Sequence, residues 1–257
     1  MSNIPEKPKD LILQTRNIIN DVYDCRYKKA INVFNESFKE ETEQILSRLT
    51  NIYEILTVVV NYTDPEIVGE NNLTLKSILW EGANSLLCAL QVIRQGYFVE
   101  PDVLIRKAAE NLALAIHLFD KEEDFKLYEN NKLFGHNCIG TCKKFIPTFG
   151  QAYGILSKMS HPNKSVIGTY LDGDDAQITF VIGGSLTKEK FKRTYLNLGS
   201  LAFMASVYES GAELMFYDYI NTHSFWRKSS NELVWKMSDD EKEKHNKIQE
   251  ILKKGIK

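Results

Sequence analysis

Between Asp10 and Thr63 the chain contains neither glycine nor proline. So long an unbroken run excludes a fold of many short strands, which needs turn residues about every 8–12 positions. Apolar side chains recur through it at helical spacing, among them Ile18, Val22, Ile31, Phe34, Phe38, Ile45, Leu49, Ile52, Leu56 and Val59. That period predicts amphipathic helices with one exposed face. Helices in globular domains run roughly 8–20 residues, so the run is expected to divide in two near Cys25 to Tyr27. Breakers are scarce in the rest of the chain as well, with 14 glycines and 6 prolines in 257 residues. The expected fold class is mainly α, a helical bundle with one inserted β-hairpin.

Thr63-Asp64-Pro65 reads as a stop and restart, since Asp can cap and Pro can take the first helical position. Gly69, Asn71 and Asn72 predict a loose turn there, followed by a strongly apolar helix over 73–95. Gly96 ends it where a left-handed residue is wanted. Glu100-Pro101-Asp102 opens a second apolar helix over 103–119. Two consecutive helices this apolar, joined by a short loop, predict an antiparallel hairpin at the centre of the domain. A weak helix over 125–133 and a short one over 151–160 follow, the latter stopped by His161-Pro162.

The texture changes after Ser165. Segments 165–171 and 176–182 flank the turn-forming Asp172-Gly173-Asp174-Asp175, which predicts a β-hairpin. A long helix from Lys188 to about His223 is expected next, with Gly199 and Gly211 inside it. Ser238-Asp239-Asp240-Glu241 matches a capping box, opening a charged terminal helix over 241–254. The organisation read from these signals is N-terminal helices over 1–63, usable as a dimer arm, a helical core over 64–223 with the hairpin at about 165–182, and a peripheral C-terminal helix over 224–257.

Charge narrows the function classes. Lys and Arg total 32 against 34 Asp and Glu, a net charge of −2. No global field attracts nucleic acid or an anionic membrane. No run of about 18 apolar residues is present, so no membrane span is expected. The first ten residues lack the apolar core of a secretory signal, and a cytoplasmic chain is expected. The four cysteines, Cys25, Cys88, Cys138 and Cys142, then read as reduced thiols. Cys138 and Cys142 lie four apart with His136 just before them, but the second half of a zinc site is missing. Nucleotide-loop, zinc-protease and serine-hydrolase signatures are absent. No cofactor and no metal are expected. The late aromatics Phe216, Tyr217, Tyr219, Phe225, Trp226 and Trp235 read as core or oligomer interface, with base stacking as the alternative.

Polar residues inside the apolar helices carry the chemistry. Arg106, Glu110, Ala113 and His117 share one face of the 103–119 helix. Glu81, Asn84, Cys88 and Gln91 share a face of the 73–95 helix. Tyr153, Ser157 and Ser160 line up on the short helix that His161 ends. A buried Arg needs a carboxylate, so Arg106 is expected to pair with Glu110 or Glu81. His161 could act as general base or acid near neutral pH. Arg106 could stabilise charge developing on a phosphate, while Tyr153 and Ser157 orient substrate or imidazole. Such a set suits metal-independent RNA cleavage by an attacking 2′-hydroxyl. The same residues also fit a structural role, with the Arg–Glu pair setting helix register.

Arg106-x-x-x-Glu110 followed by Tyr153-x-x-x-Ser157-x-x-x-His161 resembles a broad group of bacterial all-helical proteins found among phage-defence and toxin–antitoxin genes. They are distantly similar to the HEPN superfamily of helical RNases and nucleotide-binding proteins. The resemblance covers about 73–161. It implies a helical scaffold and an RNase activity, with RNA or a partner protein as ligand and Arg106, Glu110, Tyr153, Ser157 and His161 as site, while the surplus of apolar helical faces and the late aromatics predict a homodimer. The family's usual signature sets Arg and His a few residues apart on one stretch. Here Asn111, Leu112 and Ala113 stand where that His would fall. A non-enzymatic helical module that binds a partner protein is the alternative the same scaffold allows.

Overall fold

A computed structural model describes residues 17, 20–21, 25–61, 65–160, 171–174, 177–180, 191–229 and 232–236. A π-type turn at Cys25 and Arg26 leads into α1 (Tyr27–Ser37). The chain then bends at Phe38 (φ −130°, ψ 33°) before α2 (Lys39–Asn61). No breaker residue marks this second bend. The buried Phe38 ring sits 5.3 Å from Phe34 and 5.1 Å from Phe191, so ring packing against a distant segment holds it. Thr42 restarts the helix by donating its N–H and hydroxyl to the Phe38 carbonyl, at 3.1 and 2.6 Å.

Helix α3 (Pro65–Arg94) runs straight through Gly69, Asn71 and Asn72, where a loose turn was expected. A glycine inside a helix costs only about 1 kcal/mol. Burial of Leu75, Ile78 and Leu79 in the following turns outweighs that. Gly96 does adopt a positive φ of 76°. Its N–H reaches the Ile93 carbonyl at 2.9 Å and the Tyr97 N–H reaches Val92 at 3.2 Å. This is the Schellman pattern that a left-handed glycine permits. Helix α4 (Glu100–Asp120) then packs back along α3 as the expected central hairpin.

Short elements follow: a 3₁₀ turn Glu122–Asp124, α5 (Phe125–Glu129), a 3₁₀ turn Gly135–Asn137, α6 (Ile139–Phe145) and α7 (Phe149–Ser160). Both α6 and α7 lie on α4. Strands β1 (Leu171–Asp174) and β2 (Gln177–Phe180) form the expected hairpin. Its register pairs Leu171 with Phe180 and Asp174 with Gln177. Asp172 to Asp174, expected in the turn, are therefore strand.

Helix α8 (Phe191–Met215) continues through Gly199 and Gly211 but ends eight residues before His223. It is buried on nearly every side from Leu198 onward, as a helix at the middle of a bundle must be. One hydrophobic core joins Phe34, Ile52 and Leu56 of α1 and α2 to Leu79 and Leu86 of α3, Leu112 of α4 and Met204 and Tyr208 of α8. Beyond a 3₁₀ turn at Tyr217–Tyr219, β3 (Trp226–Ser229) and β4 (Glu232–Trp235) make a second antiparallel hairpin. In the sequence the turn-type residues Ser229, Ser230 and Asn231 are its only signal. The expected terminal helix over 241–254 lies outside the described residues.

Candidate functional site

The best-connected half-buried polar cluster lies where α7 crosses α4. The i, i+4 spacing on α4 puts Arg106 Nε 3.0 Å from Glu110 Oε1. From α7, Tyr153 donates its hydroxyl to the same carboxylate oxygen at 2.7 Å. Arg106 Nη2 approaches the Tyr153 hydroxyl at 3.4 Å, and Nη1 donates to Ser160 Oγ at 3.1 Å. The guanidinium also stands over the Tyr153 ring, 5.6 Å from its centre. Side-chain exposure is 24% for Arg106 and 28% for Glu110, so the pair is sheltered yet reachable.

Burial alone would lower the Arg106 pKa, but its hydrogen bonds to Glu110 and Tyr153 raise it overall. The guanidinium is a permanent charge. Burial, then the Glu110 carboxylate, push the Tyr153 phenol up. Tyr153 therefore stays protonated and remains a donor.

Arg106 takes Glu110 as its carboxylate and not Glu81. Glu81 Oε1 instead accepts from Lys107 Nζ at 2.7 Å and Oε2 from Asn111 at 3.3 Å. The Lys107 hydrogen bond holds the Glu81 carboxyl below its ordinary range. Arg106, Glu110 and Tyr153 are thus brought together as the spacing suggested, joined by Ser160. Ser157 enters through its main-chain carbonyl, which accepts the Ser160 hydroxyl at 3.3 Å. His161, the next residue in the chain, lies outside the described residues.

Other expected groups fall elsewhere. His117 shares the Arg106 face but is buried, 2.8 Å from both Thr141 Oγ1 and Asp124 Oδ2. It ties the end of α4 to α6 and to the Glu122–Asp124 turn. Cys138 and Cys142 are buried free thiols; Cys25 and Cys88 are exposed. Among the described residues no group of three His, Cys, Asp or Glu could hold a metal. Phe216, Phe225 and Trp226 are core. No helix among the described residues is long and apolar enough to cross a membrane.

Three carboxylates on or against α8 are buried, Asp102, Glu209 and Glu213, and none was anticipated, because their partners lie at least 12 residues away in sequence. Glu209 accepts from Arg48 Nη1 and Asn51 Nδ2, both at 2.7 Å, tying α8 to α2. Asp102 is wholly buried and accepts from Arg193 Nη2 at 2.6 Å. Arg193 and Asn197 also donate to the Phe98 carbonyl at 3.1 Å, pinning the loop before α4 to α8. Burial pushes the Asp102 carboxyl up to about 6; Arg193 opposes this and Glu100 adds to it.

No family model matches the chain, and no characterised protein or solved structure matches it either.

Proposed function

We propose that this protein is a metal-independent ribonuclease of HEPN-like type, acting in the bacterial cytoplasm in defence or stress response. One observation carries the reading. A permanently charged, partly exposed guanidinium is gripped by Glu110, Tyr153 and Ser160, one peptide bond before a histidine. The 2′-hydroxyl of a ribose would attack the neighbouring phosphorus, and the bond to the 5′-oxygen would break. His161 would take the 2′-hydroxyl proton, a water molecule would protonate the departing 5′-oxygen, and Arg106 would stabilise the charge growing on the phosphoryl oxygens as the 2′,3′-cyclic phosphate forms. Glu110 and Tyr153 fix the direction of the guanidinium, so it needs no reorientation during the reaction.

The test is cleavage of unmodified RNA in the presence of chelator. Activity should persist there and fall at least about 100-fold in Arg106→Ala and in His161→Ala. Cleavage that survives both substitutions rejects the site.

A homodimer belongs to the same proposal. Leu73 and Trp80 of α3 are 40% and 39% exposed, beside a shallow cleft lined by Thr57, Lys76, Ser77 and Trp80. That surface favours a second reading, a helical module that binds a partner protein through α2 and α3. A dimer mass in light scattering at micromolar concentration, reduced by Trp80→Ala, supports the first arrangement. A stoichiometric co-purifying partner without any RNA turnover supports the second.

A further inference from the structure

The 3₁₀ turn Gly135–Asn137 rests directly on α4 at Glu110. A Cβ on Gly135 would stand 2.8 Å from Glu110 Cβ and would overlap the Glu110 carbonyl. Only a residue without a side chain lets the loop approach so closely. On either side of it, Phe134 and His136 both project into solvent, Phe134 being 53% exposed. Their rings are parallel within 7°, with centres 5.9 Å apart.

The turn that carries the rings is fixed. Asn137 N–H donates to the Phe134 carbonyl at 2.9 Å and Cys138 N–H to the Gly135 carbonyl at 3.0 Å. Cys138 is fully buried beneath them, and its thiol donates to the Phe134 carbonyl at 3.4 Å. Burying a phenyl ring is favourable, and this one is left outside on a rigid mount. Of the late aromatics read as possible base stackers, Phe216, Phe225 and Trp226 are buried, and the half-buried Tyr217 stacks on His223.

One residue connects this mount to the charged cluster. The main chain of Glu110 carries Gly135, and its carboxylate carries Arg106. We propose that Phe134 and His136 form a stacking platform for an unpaired nucleobase of single-stranded RNA, beside the phosphate that Arg106 would hold. This rests on the ribonuclease reading above and adds to it a preference for unpaired over duplex RNA. Every base has a π-face, so such a platform is tolerant of sequence.

The experiment uses the full chain and an uncleavable 2′-O-methyl oligoribonucleotide with 2-aminopurine at its centre. A matched probe carries an abasic position instead. Wild type should quench the 2-aminopurine fluorescence on binding. Phe134→Ala, at an exposed site, should lose the quench and bind the intact probe about 5- to 150-fold more weakly, with little change on the abasic probe. Phe134→Trp should restore both. If Phe134→Ala binds both probes like wild type while Arg106→Ala weakens binding, the platform is rejected and the phosphate site stands. If the Phe134 effects appear but wild type cleaves no unmodified RNA, the platform stands and the ribonuclease reading falls. Binding of neither probe by wild type overturns both.

Discussion

Tyr153 and Glu110 share a 2.7 Å hydrogen bond across the α4–α7 crossing, and the accepting oxygen is the one that also takes Arg106 Nε. Tyrosine and arginine therefore lean on a single carboxylate atom. Displacing either loosens the other, because the cluster is shared and not a set of separate pairs.

Tyr153→Phe removes that hydroxyl and keeps the ring under the guanidinium. It should cost about 1 kcal/mol in urea denaturation, the net worth of one hydrogen bond at a half-buried site. RNA cleavage should fall less than in Arg106→Ala. An equal loss would mean that the phenol acts on substrate itself.

The Asp102 carboxyl is raised from an ordinary 3.8 to about 6 by burial. A raised folded-state pKa favours the protonated form in the fold. Its stabilising contribution is complete below pH 3.8 and is lost as pH rises through 6, opposite to a typical ion-paired aspartate. The advantage of wild type over Asp102→Asn should therefore shrink by about 2 kcal/mol between pH 4 and pH 7. A difference that does not vary with pH contradicts this.

Glu213 holds the second hairpin. Its carboxylate accepts the N–H of Phe225 at 3.0 Å and of Trp226 at 3.2 Å, all buried. Glu213→Ala leaves two buried donors without it, and the protein should lose about 2–4 kcal/mol. The Trp226 signal in near-ultraviolet circular dichroism should weaken with it. Unchanged stability would show that other acceptors replace the carboxylate.

The thiols should divide in two. Burial, with Asp124 nearby, pushes Cys138 up to about 11, and burial pushes Cys142 higher still. Only a thiolate reacts readily. At pH 8 a disulfide reagent should titrate Cys25 and Cys88 in the native protein and all four cysteines after unfolding. Fast reaction of four in the native state contradicts the packing around α6.

Much of the helical framework was legible. The glycine- and proline-free run, the stop at Gly96 and the restart at Pro65 each depend on neighbours within a turn or two. So does the Arg106–Glu110 pair, since four residues make about one helical turn. The bend at Phe38 and the strand at 172–174 were not legible, and the hairpin at 226–235 was marked only by Ser229-Ser230-Asn231. Phe38 bends because Phe191 meets it, and the second hairpin is anchored by Glu213. Neither contact leaves a local trace.

Local residue order dictates a mainly helical chain, its two central apolar helices, and which polar residues ride on the same helical face. Those follow from periodicity, which every short window of the chain repeats. The tertiary packing decides that Tyr153 joins the Arg106–Glu110 pair while Glu81 turns to Lys107, that His117 is a buried tie, and that Phe134 stays outside. These depend on how far each helix rotates about its axis when the core closes. Many distant contacts set that rotation together, and no single segment encodes it.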